Sequence, residues 1–334
     1  PGVPRKLLTS RLAVRRKTGA GVAPAAGAVP AAGAVPTAGA VPAAGITLVA
    51  GAASPQPNLR PRVGYWMSCG YNYVLPQVGE ATIEVLEALG YEVEVLDNCC
   101  CGLAAYGYGD LEAAARLASE NLRRLGDLDR LQAIISECGS CSGHLKEYGA
   151  LLADDPQWAE AATRLSGITR SFSEFVAQQG ELSSLLGAVP AGTATAGAAA
   201  TGERSSPVAP GSAGRPTVVT YHDPCHLGKR YQNVVDPPRA ILRSLPGVVF
   251  REAAEADSCC GAAGTYGVLH SETSAAIVDR KTGFFRATGA TVIATECPAC
   301  MMQLALGAKR AGLDVQVANI SQLCAQALEA RVSK

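Results

Sequence analysis

Beyond residue 60, short apolar β-branched runs alternate with longer amphipathic stretches. The runs RVGYWMS, YEVEVLDN and LQAIISE lie in one half, and PTVVTYHDP, GVVFREA and ATVIATE in the other. Each is brief, rich in Val, Ile, Tyr or Thr, and bounded by turn residues, which predicts strands. Between them, PQVGEATIEVLEALG, DLEAAARLASENLRRLG, PPRAILRSL and SETSAAIVDRKTGFFRATG read as helices, with Gly90, Gly126 and Gly289 as stops. Strand–helix alternation predicts an α/β fold class: two duplicated domains, each a small parallel sheet with flanking helices.

Two stretches break this rhythm. Residues 18–59 carry no charge, and Pro24, Pro30, Pro36 and Pro42 recur within AAGAVP-like repeats. Proline and glycine at that density break a membrane helix and predict a flexible or polyproline-like linker. A second Ala/Gly/Ser/Pro-rich stretch follows Gly180. The expected organisation is a basic tail and linker over 1–60, a first domain over 61–180, a flexible linker over 181–215 and a second domain over 216–332. The chain begins at Pro1 rather than Met, so a preceding segment is expected.

Charge narrows the function. The 334 residues hold 29 basic and 29 acidic side chains, a formal net charge of zero. No electrostatic footprint for nucleic acid or an anionic membrane emerges from that balance. The basic cluster Arg5, Lys6, Arg11, Arg15, Arg16 and Lys17 reads as a solvated tail.

The twelve cysteines change the picture most. Cys100, Cys101, Cys138 and Cys141 reappear 159 positions later as Cys259, Cys260, Cys297 and Cys300, and Cys69 reappears as Cys225 after 156. A fixed offset over four positions marks an internal duplication. Every motif follows the carboxyl end of a predicted strand, the edge where open parallel sheets bind ligands. Cys-x-x-Cys alone fits zinc, a redox dithiol or iron–sulfur. Five cysteines overfill a structural zinc tetrahedron, and a dithiol has no use for the other three. Iron–sulfur clusters take thiolates, and adjacent cysteines can serve different irons. Gly102 and Gly261, directly after each Cys-Cys pair, allow close backbone approach. The ten cysteines are therefore the candidate ligands of up to two iron–sulfur clusters.

The pattern C-x30-CCG-x35-CxxC, repeated as C-x33-CCG-x35-CxxC, resembles the cysteine-rich CCG domain. That domain occurs in tandem in the cysteine-rich subunit of heterodisulfide reductase, in lactate-utilisation proteins and in glycolate oxidase iron–sulfur subunits. The strings VTYHDPCHLGK, PPRAILRSLPGV, DSCCGAAGTYGVLHSETSAAIVDRK and HLKEYGALL look most like the glycolate oxidase branch. This resemblance implies a cytoplasmic electron-transfer subunit, peripheral to the inner membrane through its partners. It would pass electrons from an FAD-containing 2-hydroxy-acid dehydrogenase subunit towards a quinone-side acceptor. It also implies a ferredoxin-like domain ahead of the tandem domains, absent from this chain. Members of that branch often lose one Cys of the Cys-x-x-Cys pair, whereas this chain keeps both pairs. Five-cysteine sets resemble those of heterodisulfide reductase, which makes a noncubane 4Fe-4S cluster the alternative to an ordinary 4Fe-4S one, and disulfide reduction the alternative activity.

Beside the motifs, His222 and His226 flank Cys225 and are expected to hydrogen-bond cluster sulfur or supply protons, with a plain Asp223-Pro224 turn as the alternative. His144 reads as a first-turn helix residue and His270 as a surface one. Tyr106 and Tyr266 read equally as cluster covers or packing residues. Cys99 and Cys324 read as small apolar residues. No G-x-G-x-x-G fingerprint or P-loop stands at a strand–helix junction, so no flavin or nucleotide site is expected in this chain.

Overall fold

All six predicted runs form strands, and two further strands complete the sheets. The computed structural model describes residues 60–180, 182, 186 and 216–332. The stretches expected as tail and linkers, 1–59 and most of 181–215, lie outside these described residues.

In the first half, β1 (Arg62–Tyr65) is followed by α1 (Cys69–Tyr73) and α2 (Pro76–Ala88), then β2 (Glu92–Val95). Next come α3 (Leu103–Gly107), α4 (Leu111–Leu125), β3 (Ala133–Ser136), α5 (Gly139–Lys146), α6 (Tyr148–Leu151) and α7 (Ala159–Ile168). The half closes with β4 (Thr169–Ser171) and α8 (Phe172–Gln179). In the second half β5 (Thr217–Tyr221), α9 (Asp236–Ser244), β6 (Val248–Phe250), α10 (Tyr266–Leu269) and α11 (Ser271–Thr288) are followed by β7 (Val292–Ala294), α12 (Pro298–Arg310), β8 (Gln316–Ala318) and α13 (Ile320–Val332).

The strand orders are β2-β1-β3-β4 and β6-β5-β7-β8, and every pairing is parallel. The predicted helix signals hold locally. Pro76 starts α2 at the first helical position, where no amide partner is lost. Asp110 accepts from the Ala113 amide to cap α4. Gly126 and Gly289 terminate α4 and α11 with positive φ.

The two halves share one core. Val63, Val85, Phe172 and Phe175 of the first half pack with Val219, Tyr221, Ile241, Leu242, Ile320 and Leu323 of the second. Cys324 lies in this core, fully buried. Helix α2 packs on α13, and α8 packs on α9. Each half thus lends the helix after its first strand to the helix after the other's last strand, a pseudo-twofold exchange. Burying each such side chain contributes roughly 1.5–3 kcal/mol, so the halves stabilise each other. No helix among the described residues is long and apolar enough to cross a membrane.

Candidate metal centres

Each sheet reverses its direction of growth between its two central strands. Connections from β1 to β2 run one way, and the return to β3 lands on the opposite side of β1. The crevice at the carboxyl ends of such strands is where open parallel sheets hold ligands. Cys69 opens α1 after β1, Cys100 and Cys101 lie in the loop after β2, and Cys138 stands at the N-cap of α5 with Cys141 in its first turn. The second half repeats this: Cys225 follows β5, Cys259 and Cys260 follow β6, and Cys297 caps α12, which contains Cys300. Thiolates at helix N-termini are favoured by the unpaired amides there.

All ten predicted cysteines are free thiols, and within each half the five interact with one another through hydrogen bonds or charge. Each set has a buried floor, formed by Cys101, Cys138 and Cys141 in one half and by Cys260, Cys297 and Cys300 in the other. Cys69, Cys100 and Cys259 form an exposed rim, with Cys225 half-buried. Cys260 and Cys300 lie 3.3 Å apart. Hydrogen bonds from Cys101 and Cys69 hold the Cys100 thiol down to about 2. Hydrogen bonds from Cys259 and Cys300 likewise hold Cys260 well below the usual thiol range. Cys297 is lowered as well, through its hydrogen bond with Cys300, so the first set holds one sulfur and the second set two that are pushed towards the thiolate. Five converging sulfurs form a donor set suited to a polynuclear thiolate centre.

The CCG triplet has a geometric reason. Gly102 and Gly261 have φ of +93° and +89°, a conformation costly to any residue with a Cβ. There the Gly261 amide turns back to donate to Cys259 Sγ at 3.3 Å, and the Gly102 amide does the same for Cys100. A Cβ at Gly261 would sit 2.7 Å from the Ser274 carbonyl, whereas one at Gly102 would meet its nearest neighbour at 3.4 Å. Gly102→Ala is expected to cost about 1–2 kcal/mol from left-handed strain. Gly261→Ala should cost more, because backbone must also move. Denaturant unfolding of the two variants checks the order; equal costs would contradict it.

Three buried residues whose setting the sequence did not announce shape the sites. His144 is fully buried, with both ring nitrogens unpartnered, and Gly102 leaves room beside its Nε2. Burial holds it down to about 4, so it is a neutral imidazole. Tyr106 packs on it at 5.0 Å between ring centroids. The sequence suggested a first-turn helix residue, but α5 already starts at Gly139, inside the Cys-x-x-Cys, and His144 stands buried in its last turn. Glu137 and Glu296, each directly before a Cys-x-x-Cys pair, are fully buried equivalents. Tyr65 Oη donates to Glu137 at 2.8 Å and Tyr221 Oη to Glu296 at 3.2 Å. Burial pushes their carboxyls up to about 8 and about 7. Because an amide oxygen can accept the same bonds, Glu296→Gln is expected to change stability at neutral pH by less than about 1.5 kcal/mol. Glu296→Leu should cost more, since the Tyr221 hydroxyl and Ser173 amide lose their acceptor. A thermal or denaturant melt of both variants decides this.

The predicted histidines fall at the second set. His222 is buried with both nitrogens unpartnered. A ring nitrogen of His222 and the sulfurs of Cys260 and Cys300 lie within 4.8 Å of one another. At the equivalent place in the first half stands Trp66, whose buried Nε1 is also unpartnered. His226 instead joins the halves: its Nδ1 lies 2.9 Å from Ser140 Oγ, which is 3.9 Å from Cys297 Sγ. Gln232 reinforces the link by donating to the carbonyls of His226 and Gly139. Ser140 sits inside the first Cys-x-x-Cys yet touches the second set, a crossing no sequence pattern announces.

The class follows from family comparison. The model for the cysteine-rich domain called CCG matches residues 63–146 and 219–305. The chain belongs to the CCG cysteine-rich domain family, with the domain in two copies. Among curated relatives, it is 31% identical to a Bacillus subtilis protein named "Probable glycolate oxidase iron-sulfur subunit", over 78% of this chain and 52% of that one. The match thus spans about half the length of that relative. It is 28% identical to "Lactate utilization protein A 2" of Bacillus mycoides, over 78% of this chain and 98% of the relative. Among solved structures, an aspartate racemase homologue from Pyrococcus horikoshii OT3 aligns at 10% identity and a TM-score of 0.26, over 82% of this chain and 99% of that one. Nothing about the sites is carried over from so distant a likeness.

Proposed function

We propose that the chain is an iron–sulfur electron-transfer subunit of a flavin-linked 2-hydroxy-acid oxidoreductase of the glycolate or lactate type. The reading is carried by one observation: two five-thiol sets, each with a buried floor and an exposed rim, at the switch points of one fused body. The relatives' names supply the reaction class. Cys69, Cys100, Cys101, Cys138 and Cys141 would hold one 4Fe-4S or noncubane 4Fe-4S cluster, and Cys225, Cys259, Cys260, Cys297 and Cys300 the other. Such clusters accept and release single electrons.

The residues fit that cargo. Unpartnered buried imidazoles at His144 and His222 and the Trp66 indole N–H are polar groups left for a guest with sulfur acceptors. The left-handed glycines turn amides towards rim sulfurs. Electrons would come from an FAD-containing partner and leave towards a quinone-side acceptor, with the exposed rims as entry and exit. The test is anaerobic mixing of the chain with its FAD-containing partner and a 2-hydroxy acid. Cluster absorbance should bleach only when both are present. No bleaching with a competent partner would overturn the reading.

The exposed Cys69, Cys100 and Cys259, with no cysteine of either set lost, favour a second reading: reduction of disulfides at a noncubane cluster. Cluster spectra that change on adding a disulfide to the reduced chain, without any flavoprotein, would select it.

A further inference from the structure

Lys281 lies within α11 and is only 1% exposed. Its Nζ donates to the carbonyls of Glu255, Ala256 and Ser258 at 2.8, 2.9 and 2.8 Å, and to Ser258 Oγ at 3.1 Å. It also lies 5.6 Å from the Phe285 ring centroid. These partners are all neutral. They pin the loop that leads into Cys259 and Cys260, but dipoles alone are a poor match for a buried ammonium, which calls for an anion. The acidic groups around it are Asp223, Asp257 and the sulfurs of Cys260 and Cys300. Asp223 is already engaged by Arg239 through two bonds of 2.9 and 2.6 Å. What remains to balance the ammonium is the half-buried Asp257 and the second thiol set.

The first half does the same structural work without charge. Helices α4 and α11 begin 160 residues apart, and Asn121 stands 160 positions before Lys281. Asn121 Nδ2 donates to the Cys100 and Leu117 carbonyls and to Tyr148 Oη, and its Oδ1 accepts from the Cys99 amide. A neutral amide is therefore sufficient to hold a CCG loop. The other buried charged side chains of the two halves balance. One buried imidazole serves each, His144 or His222; Glu137 and Glu296 are equivalents; Asp223 and Arg239 form an ion pair.

We propose that Lys281 is the internal counter-cation of the second cluster, and that this charge, which the first site lacks, makes the second site the higher-potential of the two. Reduction adds a negative charge, and a buried cation favours the reduced form in a medium of low dielectric. Electrons entering the chain at the first site would therefore settle at the second. The inference rests on the iron–sulfur reading above.

The test is redox potentiometry followed by EPR on the full chain, prepared anaerobically, with iron and sulfide counted on the same samples. Cys101→Ser and Cys260→Ser, each removing one site, assign the signals. The signal lost in Cys260→Ser should be the one with the higher potential. Lys281→Gln should shift the reduction equilibrium of that site at least tenfold towards the oxidised form, 59 mV for one electron, and leave the other site unmoved. Lys281→Arg should restore it. Where Lys281→Gln loses the second site's iron, the wild-type order of potentials decides alone. Intact iron with the reverse order, or with both sites shifted equally by Lys281→Gln, would overturn this inference and leave the iron–sulfur reading standing. A chain that binds neither iron nor sulfide would overturn both.

Discussion

Replacing Cys101 with Ser is expected to halve the iron and sulfide bound by the chain, and Cys260→Ser to do the same through the other site. Both residues sit on buried floors, Cys101 at 6% and Cys260 at 3% exposure. Each also hydrogen-bonds the sulfurs beside it, so its loss removes a ligand from the middle of the set. A serine hydroxyl is a poor substitute for a soft thiolate. The double variant should bind almost none. By contrast, Cys324→Ser should leave the iron unchanged, because Cys324 lies in the shared apolar core away from either set. Loss of all iron in one single variant would mean that the ten cysteines form one interdependent centre rather than two.

Arg239→Leu is expected to destabilise the chain by roughly 3–5 kcal/mol, the range for removing one partner of a buried ion pair. Arg239 grips Asp223 with two bonds, and the side chains are 10% and 4% exposed. The same guanidinium holds Glu252 at 2.7 Å and the Val235 carbonyl, and lies over the Tyr221 ring. Without it, the Asp223 carboxylate is stranded two residues before Cys225, because the bond to the Ala256 carbonyl is donated by the Asp223 backbone amide and does not serve the carboxylate. The damage should reach the second site before the first. Urea unfolding checks the size. Adding Asp223→Asn to Arg239→Leu should recover at least half of the loss, since it removes the stranded charge. A single-variant cost below about 1 kcal/mol would contradict this account.

How much of this was legible depends on what each residue answers to. Runs such as LQAIISE and ATVIATE announced strands because they are dominated by apolar and β-branched residues, and the cysteine offsets announced the duplication. Strands β4 and β8 were not legible: Thr-Arg-Ser and Gln-Val-Ala are three-residue edge segments held by one neighbour each, with no apolar run to mark them. Fusion of the halves was not legible either, because packing α2 on α13 and α8 on α9 reflects which face meets which, and a linear pattern does not carry that. The ten cysteines were found because their spacing repeats. His144, Lys281, Glu137 and Glu296 were missed because a buried polar residue looks like an exposed one until the fold closes over it. Glu137 and Glu296 left one usable sign: the same acidic residue directly precedes both Cys-x-x-Cys pairs. Ser140 left none, since its partners His226 and Cys297 belong to the other half.

The central claim is that each half closes five thiols around one iron–sulfur centre. The most direct measurement is iron and acid-labile sulfide per chain, after anaerobic purification, with EPR on the same sample. The account predicts roughly eight irons, about as much sulfide, and two distinguishable signals on stepwise reduction. Zinc bound without sulfide would contradict it and leave the two cysteine sets as staples of a scaffold.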